Sequence, residues 1–153
     1  MKYIIVRLEG GLGNQLFQYA FARMVQERYG GKILIDIHTY NSDKQRSLSL
    51  QHFQLNESVD LKAHKGFNKK IFFLIRVLSR LFQSFLKLIG VKKNHRVRLL
   101  SILGVFIQEG PPYYNYLYNS ISPVGFIAGN WMSEKFFNEI TDSIKCELII
   151  KTA

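Results

Sequence analysis

The sequence predicts an α/β fold built on a parallel sheet, and three observations carry that prediction. Two short β-branched apolar runs, Lys2–Leu8 and Lys32–Ile37, flank a glycine-rich turn and a helical segment. A further apolar run, Val124–Ala128, lies far along the chain. The 153 residues are 47% hydrophobic and 21% charged, the usage of an ordinary globular domain rather than a disordered tail, a fibre or a coiled coil.

In order, Lys2–Leu8 reads as a buried strand and Glu9–Asn14 as a tight turn. Gln15–Tyr29 reads as a helix, because Leu16, Tyr19, Ala20, Ala22, Met24 and Val25 recur at three-to-four spacing. Gly30-Gly31 supplies its stop, since glycine tolerates the left-handed conformation found past helix ends. Lys32–Ile37 is the second strand. Strand, glycine loop, helix and strand within some 37 residues form a βαβ unit, the seed of a Rossmann-like lobe. His38–Ser58 reads as loop with short elements and Lys62–Lys70 as a basic linker. Ile71–Ile89 is helical by pattern and Val97–Ile107 is a strand candidate. Pro111-Pro112 breaks any element there. Tyr113–Tyr118 is an aromatic cluster. Val124–Ala128 is a short strand, and Ser133 is the expected N-cap of a helix over 134–144. The expected divisions are a βαβ core over 1–60, a basic amphipathic helical insertion over 61–108, and the remainder of the lobe over 109–153.

The net charge of +10 is local. Between 61 and 108 stand 11 Lys or Arg and no Asp or Glu, so the rest of the chain carries 10 basic against 11 acidic groups. A basic block of this kind suits an anionic membrane surface or a solvated insertion. Nucleic acid is a poorer fit, because aromatic interleaving is slight and no nucleic-acid motif is present. Ile71–Val91 has about the length of a membrane span, but Arg76, Arg80 and Lys87 interrupt it. A central charge costs at least ~2.5 kcal/mol in a spanning helix, which argues against one. The same charges on an amphipathic helix suit peripheral contact with an anionic membrane. With no leader in the sequence, the expected location is the cytoplasm, with peripheral contact at the inner face of the membrane. A single cysteine, Cys146, excludes an internal disulfide framework and a multi-cysteine metal site, and reads as a small buried apolar residue.

The chemistry concentrates in Glu9-Gly10-Gly11-Leu12-Gly13-Asn14-Gln15. Open α/β sheets bind ligands beyond the carboxyl ends of their strands, and this loop lies at the end of the first. Glycines let the backbone approach a phosphate, and the helix start offers free amide N–H groups and a partial positive charge worth about 0.3–1 kcal/mol to an anion. The residues themselves leave open a tight turn without ligand or a dinucleotide fingerprint with Gly11, Gly13 and Asp36. The third glycine of the dinucleotide pattern falls on Leu16, and no Gly-Lys-Ser/Thr follows to make a P-loop.

The longer string Gly10-Gly11-Leu12-Gly13-Asn14-Gln15-Leu16-Phe17-Gln18-Tyr19-Ala20 resembles the opening motif of the α-1,2-fucosyltransferase family. Asp36 with Arg46–Leu55, and Gly129-Asn130-Trp131-Met132-Ser133-Glu134-Lys135-Phe136-Phe137, resemble two later segments of that family in the same order. The likeness spans nearly the whole chain except about 61–108. It implies an inverting glycosyltransferase that moves L-fucose from GDP-fucose to the 2-hydroxyl of a galactoside. It implies the first half of a GT-B-like architecture, with sugar nucleotide and glycan as partners and no metal or other cofactor. By this resemblance Gly11, Gly13 and Asn14 face the donor diphosphate, with Gly10 and Gln15 as further members. Trp131 and Glu134 are acceptor-side candidates, although a lone tryptophan beside a helix start is more often core or rim packing. The family's His-x-Arg-Arg/Gly-x-Asp donor clamp has no counterpart among the 153 residues, so the expectation is an N-terminal portion incomplete for catalysis. Glu9, Asp36 and Glu134 are the candidate bases, and none is singled out. The competing functions are a membrane-surface module acting through helix 71–89 and a dinucleotide-dependent oxidoreductase fragment.

Overall fold

A computed structural model describes residues 1–41, 45–61, 69–107 and 120–151. Its centre is a five-stranded, all-parallel sheet in the order β3-β2-β1-β5-β4. The strands are β1 (Tyr3–Arg7), β2 (Lys32–Asp36), β3 (Val59–Asp60), β4 (Val105–Ile107) and β5 (Val124–Ala128). The helices are α1 (Leu12–Tyr29), α2 (Lys69–Leu88), α3 (Lys93–Ile102) and α4 (Thr141–Glu147). The sheet is Rossmann-like, as the βαβ reading predicts.

The two central runs are apolar at consecutive positions because both faces of the sheet are covered. Ile4, Ile5 and Val6 have no exposed surface. Alternation sends Ile4 and Val6 into the main core with α1, α4 and the 3₁₀ turns before α4. It sends Ile5 to the other face, with Leu34, Phe126 and Ile75 of α2. The edge strands β3 and β4 have two and three residues, too short to offer a long unpaired edge.

Helix α1 begins at Leu12, inside the predicted turn, so Gly13 and Asn14 belong to its first turn. Its stop is as predicted: Gly30 has φ +69° and donates its N–H to the Gln26 carbonyl at 2.7 Å. The helix is less amphipathic than its apolar spacing suggests. It lies between the sheet and the α4 layer, and residues 18–26 are buried on every side, including Gln18, Arg23 and Gln26. Each of these polar side chains has a partner, as buried polar groups require. Gln26, for example, donates to the Gly31 carbonyl at 2.6 Å and to Ser58 Oγ at 2.8 Å.

Four expectations need correction. Val97–Ile107 is not one strand: α3 runs through Ile102, and only Val105–Ile107 pair, with β5. Within α3, Leu100 is buried and Leu99 exposed. Segment 61–108 is more than an insertion, since it supplies β4 to the sheet. Ser133 makes no side-chain cap; two 3₁₀ turns, Glu134–Phe136 and Asn138–Ile140, precede the short α4. Cys146 is exposed rather than buried. Helix α2 is present as predicted, whereas Lys62, Lys65 and the Pro111–Tyr118 stretch lie outside the described residues.

Candidate functional site

The strand order reverses at β1. The chain builds outward on one side through β2 and β3, then fills the other side with β5 next to β1. The turns after β1 and β5 are therefore neighbours at the carboxyl edge, where a doubly wound sheet forms its ligand crevice. Both glycine-containing motifs, Glu9–Asn14 and Gly129–Ser133, sit on that edge.

The β1–α1 turn is built by its glutamines. Gln18 grips Glu9 from both sides, accepting the Glu9 N–H at 3.0 Å and donating to the Glu9 carbonyl at 3.3 Å. Gln15 donates to the carbonyls of Gly10 at 3.3 Å and Ser47 at 2.9 Å, while its oxygen accepts the N–H groups of Ser49 at 2.9 Å and Leu50 at 3.1 Å. Two donors and two acceptor sites exhaust a carboxamide. Gln15 is fully buried, so its proposed contact with a diphosphate is corrected: it fastens the loop to segment 47–50 and has no capacity left for a ligand. Tyr40 adds a further hold through its hydroxyl, which donates to the Gly10 carbonyl at 2.9 Å.

Gly10 is also a framework residue rather than an open surface for ligand. Its φ is +84°, and a side chain there would run into the Asn14 carboxamide lying over it. Gly11 and Gly13 differ. Both are exposed, and a Cβ on either would meet nothing within 4 Å. Gly11 is the N-cap, in extended conformation, and no side chain caps the helix. The first intrahelical bond is from Gln15 N–H to the Gly11 carbonyl at 3.1 Å. Among the described residues no hydrogen bond takes up the N–H groups of Leu12, Gly13 or Asn14, and no acidic side chain stands in the first turn. Three amides thus point out of a helix start that carries partial positive charge.

The Gln15 clamp has a measurable consequence. Gln15→Ala leaves the Ser49 and Leu50 N–H groups without their acceptor, at about 1–3 kcal/mol for each buried group left unsatisfied. A loss of ~2–4 kcal/mol in denaturant unfolding is expected, and Gln15→Glu, which sets a buried carboxylate oxygen against the Gly10 and Ser47 carbonyls, is expected to lose at least as much. A Gln15→Glu variant as stable as the unchanged chain would contradict the donor and acceptor assignment.

Trp131 does not stand in the crevice. Its ring is fully buried, stacked on Phe21 of α1 with centroids 3.7 Å apart and planes 7° from parallel, and Phe136 meets it edge-on at 5.2 Å. Its acceptor-stacking role is therefore corrected: the ring surface a sugar would need is occupied by Phe21 and Phe136. Glu134 is exposed, in the 3₁₀ turn that Phe136 anchors against α1. Asp36 closes β2 with 7% exposure, paired in register with Arg7. That is an enclosed carboxylate, poorly placed for a ribose or as a base for a sugar hydroxyl. Glu9 has a 42% exposed side chain 4.0 Å from the Arg7 guanidinium.

Sequence reasoning passed over Arg7, Gln18 and Tyr40. Arg7 is a cation at the carboxyl edge, on the sheet face opposite α1, and its signal was a charge ending an otherwise apolar strand. Gln18 could have been found as a polar residue inside a helix that the pattern buries. Nothing local marks Tyr40, which arrives through the fold. Among the described residues, no group of three or more His, Cys, Asp or Glu is placed to hold a metal ion. No helix among them is long and apolar enough to cross a membrane.

A scan of protein-family models, a search of the curated proteins and a search of the solved structures each give no match.

Proposed function

We propose that this chain is the donor-binding, N-terminal lobe of an α-1,2-fucosyltransferase, and that the β1–α1 turn cradles the diphosphate of GDP-fucose. The observation that carries the reading is the exposed start of α1: three amides without acceptors among the described residues, beside two glycines that leave open space, on a turn held from beneath by Gln15, Gln18 and Tyr40. The string Gly10–Ala20 supports it from the sequence side. In the transfer, the galactoside 2-hydroxyl attacks the anomeric carbon of fucose from the face opposite the departing GDP. Its proton passes to a base, and negative charge grows on the β-phosphate. Amides fixed before the reaction stabilise that charge without reorganising. The role of this chain's turn is to bind and orient the diphosphate through Leu12, Gly13 and Asn14. The dinucleotide reading has less behind it, since Asp36 is enclosed and Leu16 occupies the third glycine position.

Calorimetry with GDP, GDP-fucose and NAD tests the proposal. GDP and GDP-fucose are expected to bind and NAD to bind more weakly. Asn14→Ala is expected to weaken GDP by about fivefold, one hydrogen bond of ~1 kcal/mol, and Glu134→Ala to leave it unchanged. Binding of NAD in preference to GDP would move the assignment to the dinucleotide class, and no binding of GDP would end it.

A further inference from the structure

We propose that the outward face of α2 docks on the surface of an anionic lipid bilayer. A helix packed on a sheet normally turns its apolar arc inward. In α2 the arc is turned out. Among its described side chains the inward line consists of Ser79 and Leu86, which are buried, and Ile75, packed on the sheet. Phe73, Leu74, Leu78, Leu81, Phe85 and Leu88 are 54–85% exposed, and at 100° per residue they fall within one side of the helix. An apolar row of that size on a folded surface marks an interaction site.

Charge selects the occupant. The exposed Arg80 and Lys87 lie together along one border of the apolar row, and segment 61–108 holds 11 Lys or Arg without one Asp or Glu. A second copy of the chain would bring one strongly basic segment against another. A bilayer carrying acidic headgroups offers both complements at once: acyl chains for Phe and Leu, and negative charge for the flanking cations. The apolar surface also continues inward. Leu78, Leu81 and Phe85 line a cleft of about 690 Å³ whose floor includes Leu100, Val105 and Phe126. The cleft lies on the sheet face opposite α1, apart from the glycine turn, so this proposal does not depend on the donor assignment.

The test is co-sedimentation of the full chain with vesicles of phosphatidylglycerol mixed with phosphatidylcholine, against phosphatidylcholine alone. Binding to the mixed vesicles is expected, falling with added salt. Two variant pairs, Leu81→Glu/Phe85→Glu and Arg80→Glu/Lys87→Glu, are expected to weaken it roughly tenfold or more each. All four positions are exposed, so an unchanged circular dichroism spectrum is required of each pair. Leu81→Cys in a Cys146→Ser background, carrying an environment-sensitive dye, gives an independent readout: its emission should shift to the blue on mixed vesicles. No binding to phosphatidylglycerol vesicles, or binding indifferent to both pairs with no dye shift, overturns the proposal. So does a dimer in light scattering that Leu81→Glu dissociates without any vesicle binding, or capture by an acidic polypeptide in place of lipid.

Discussion

Trp131→Ala is expected to cost about 3–5 kcal/mol of folding stability, the range for removing a large aromatic from a packed core. The ring fills the space between the turn after β5 and helix α1, with Phe21 on its face and Phe136 at its edge. Its backbone sits at φ +46°, a left-handed conformation that a bulky residue rarely adopts. Burial of the ring offsets that strain. Alanine would keep the strain and lose the burial, while Trp131→Phe would retain part of the stack and lose less. Trp131 is the single tryptophan of the chain, so unfolding of the alanine variant must be followed by circular dichroism or calorimetry. A loss below about 1 kcal/mol would mean that the ring is not packed between these elements.

Glu147→Ala is expected to lose about 3 kcal/mol, because it strands a nearly enclosed arginine. The Glu147 carboxylate at the end of α4 receives Arg23 through Nε and Nη2, the closest contact being 2.8 Å, and the Tyr19 hydroxyl. Asn56 approaches it at 3.4 Å. The Arg23 and Glu147 side chains are 9% and 13% exposed. Burial by itself would raise the Glu147 carboxyl. The Arg23 and Tyr19 hydrogen bonds and the Arg23 charge outweigh it and hold the group below its ordinary value. Burial, with the Glu147 carboxylate adding to it, pushes the Tyr19 phenol upward, so it stays a hydrogen-bond donor across the neutral range.

The pH dependence follows from that direction. A carboxyl lowered in the folded state contributes stability that is fully present above its unfolded value and is lost as pH falls through the folded value. Stability should therefore decline from about pH 4.5 downward. Glu147→Gln should lack this component, so the difference between the two proteins narrows as the solution is acidified. A difference that stays constant from pH 6 to pH 3 would show that the pair does not titrate as described.

The two variants also separate two kinds of legibility. The sheet strands 3–7, 32–36 and 124–128 could be read directly, because short apolar runs bounded by turn residues have few alternatives to a doubly covered strand. The stop of α1 could be read from Gly30-Gly31 for a similarly local reason. The arm from 93 to 107 could not. Val97-Arg98-Leu99-Leu100-Ser101-Ile102-Leu103 keeps no single period, and Leu100 is buried beside a cleft that it lines together with Val105 and Phe126.

In the candidate site, the place of the β1–α1 turn was legible, but the start of α1 within it and the division of labour among its residues were not. Gly11, Gly13 and Asn14 stand at the exposed helix start. Gly10 and Gln15, adjacent to them in the same motif, serve the scaffold. The difference lies in partners that come from 30 or 35 residues along the chain, Tyr40 for Gly10 and Leu50 N–H for Gln15 among them. Trp131 is the same case: a tryptophan beside a glycine reads alike whether its face meets a sugar or Phe21.

The amino-acid order alone therefore determined the βαβ core, the glycine turn at its carboxyl edge and the confinement of the basic charge to one segment. Those are properties of neighbours in sequence, set by side-chain shape and backbone freedom. The tertiary structure decided which polar groups were consumed and which stayed available, and which way the apolar side of α2 faced. Hydrogen-bond capacity and burial are settled by residues distant in the chain, and no local pattern encodes their arrival.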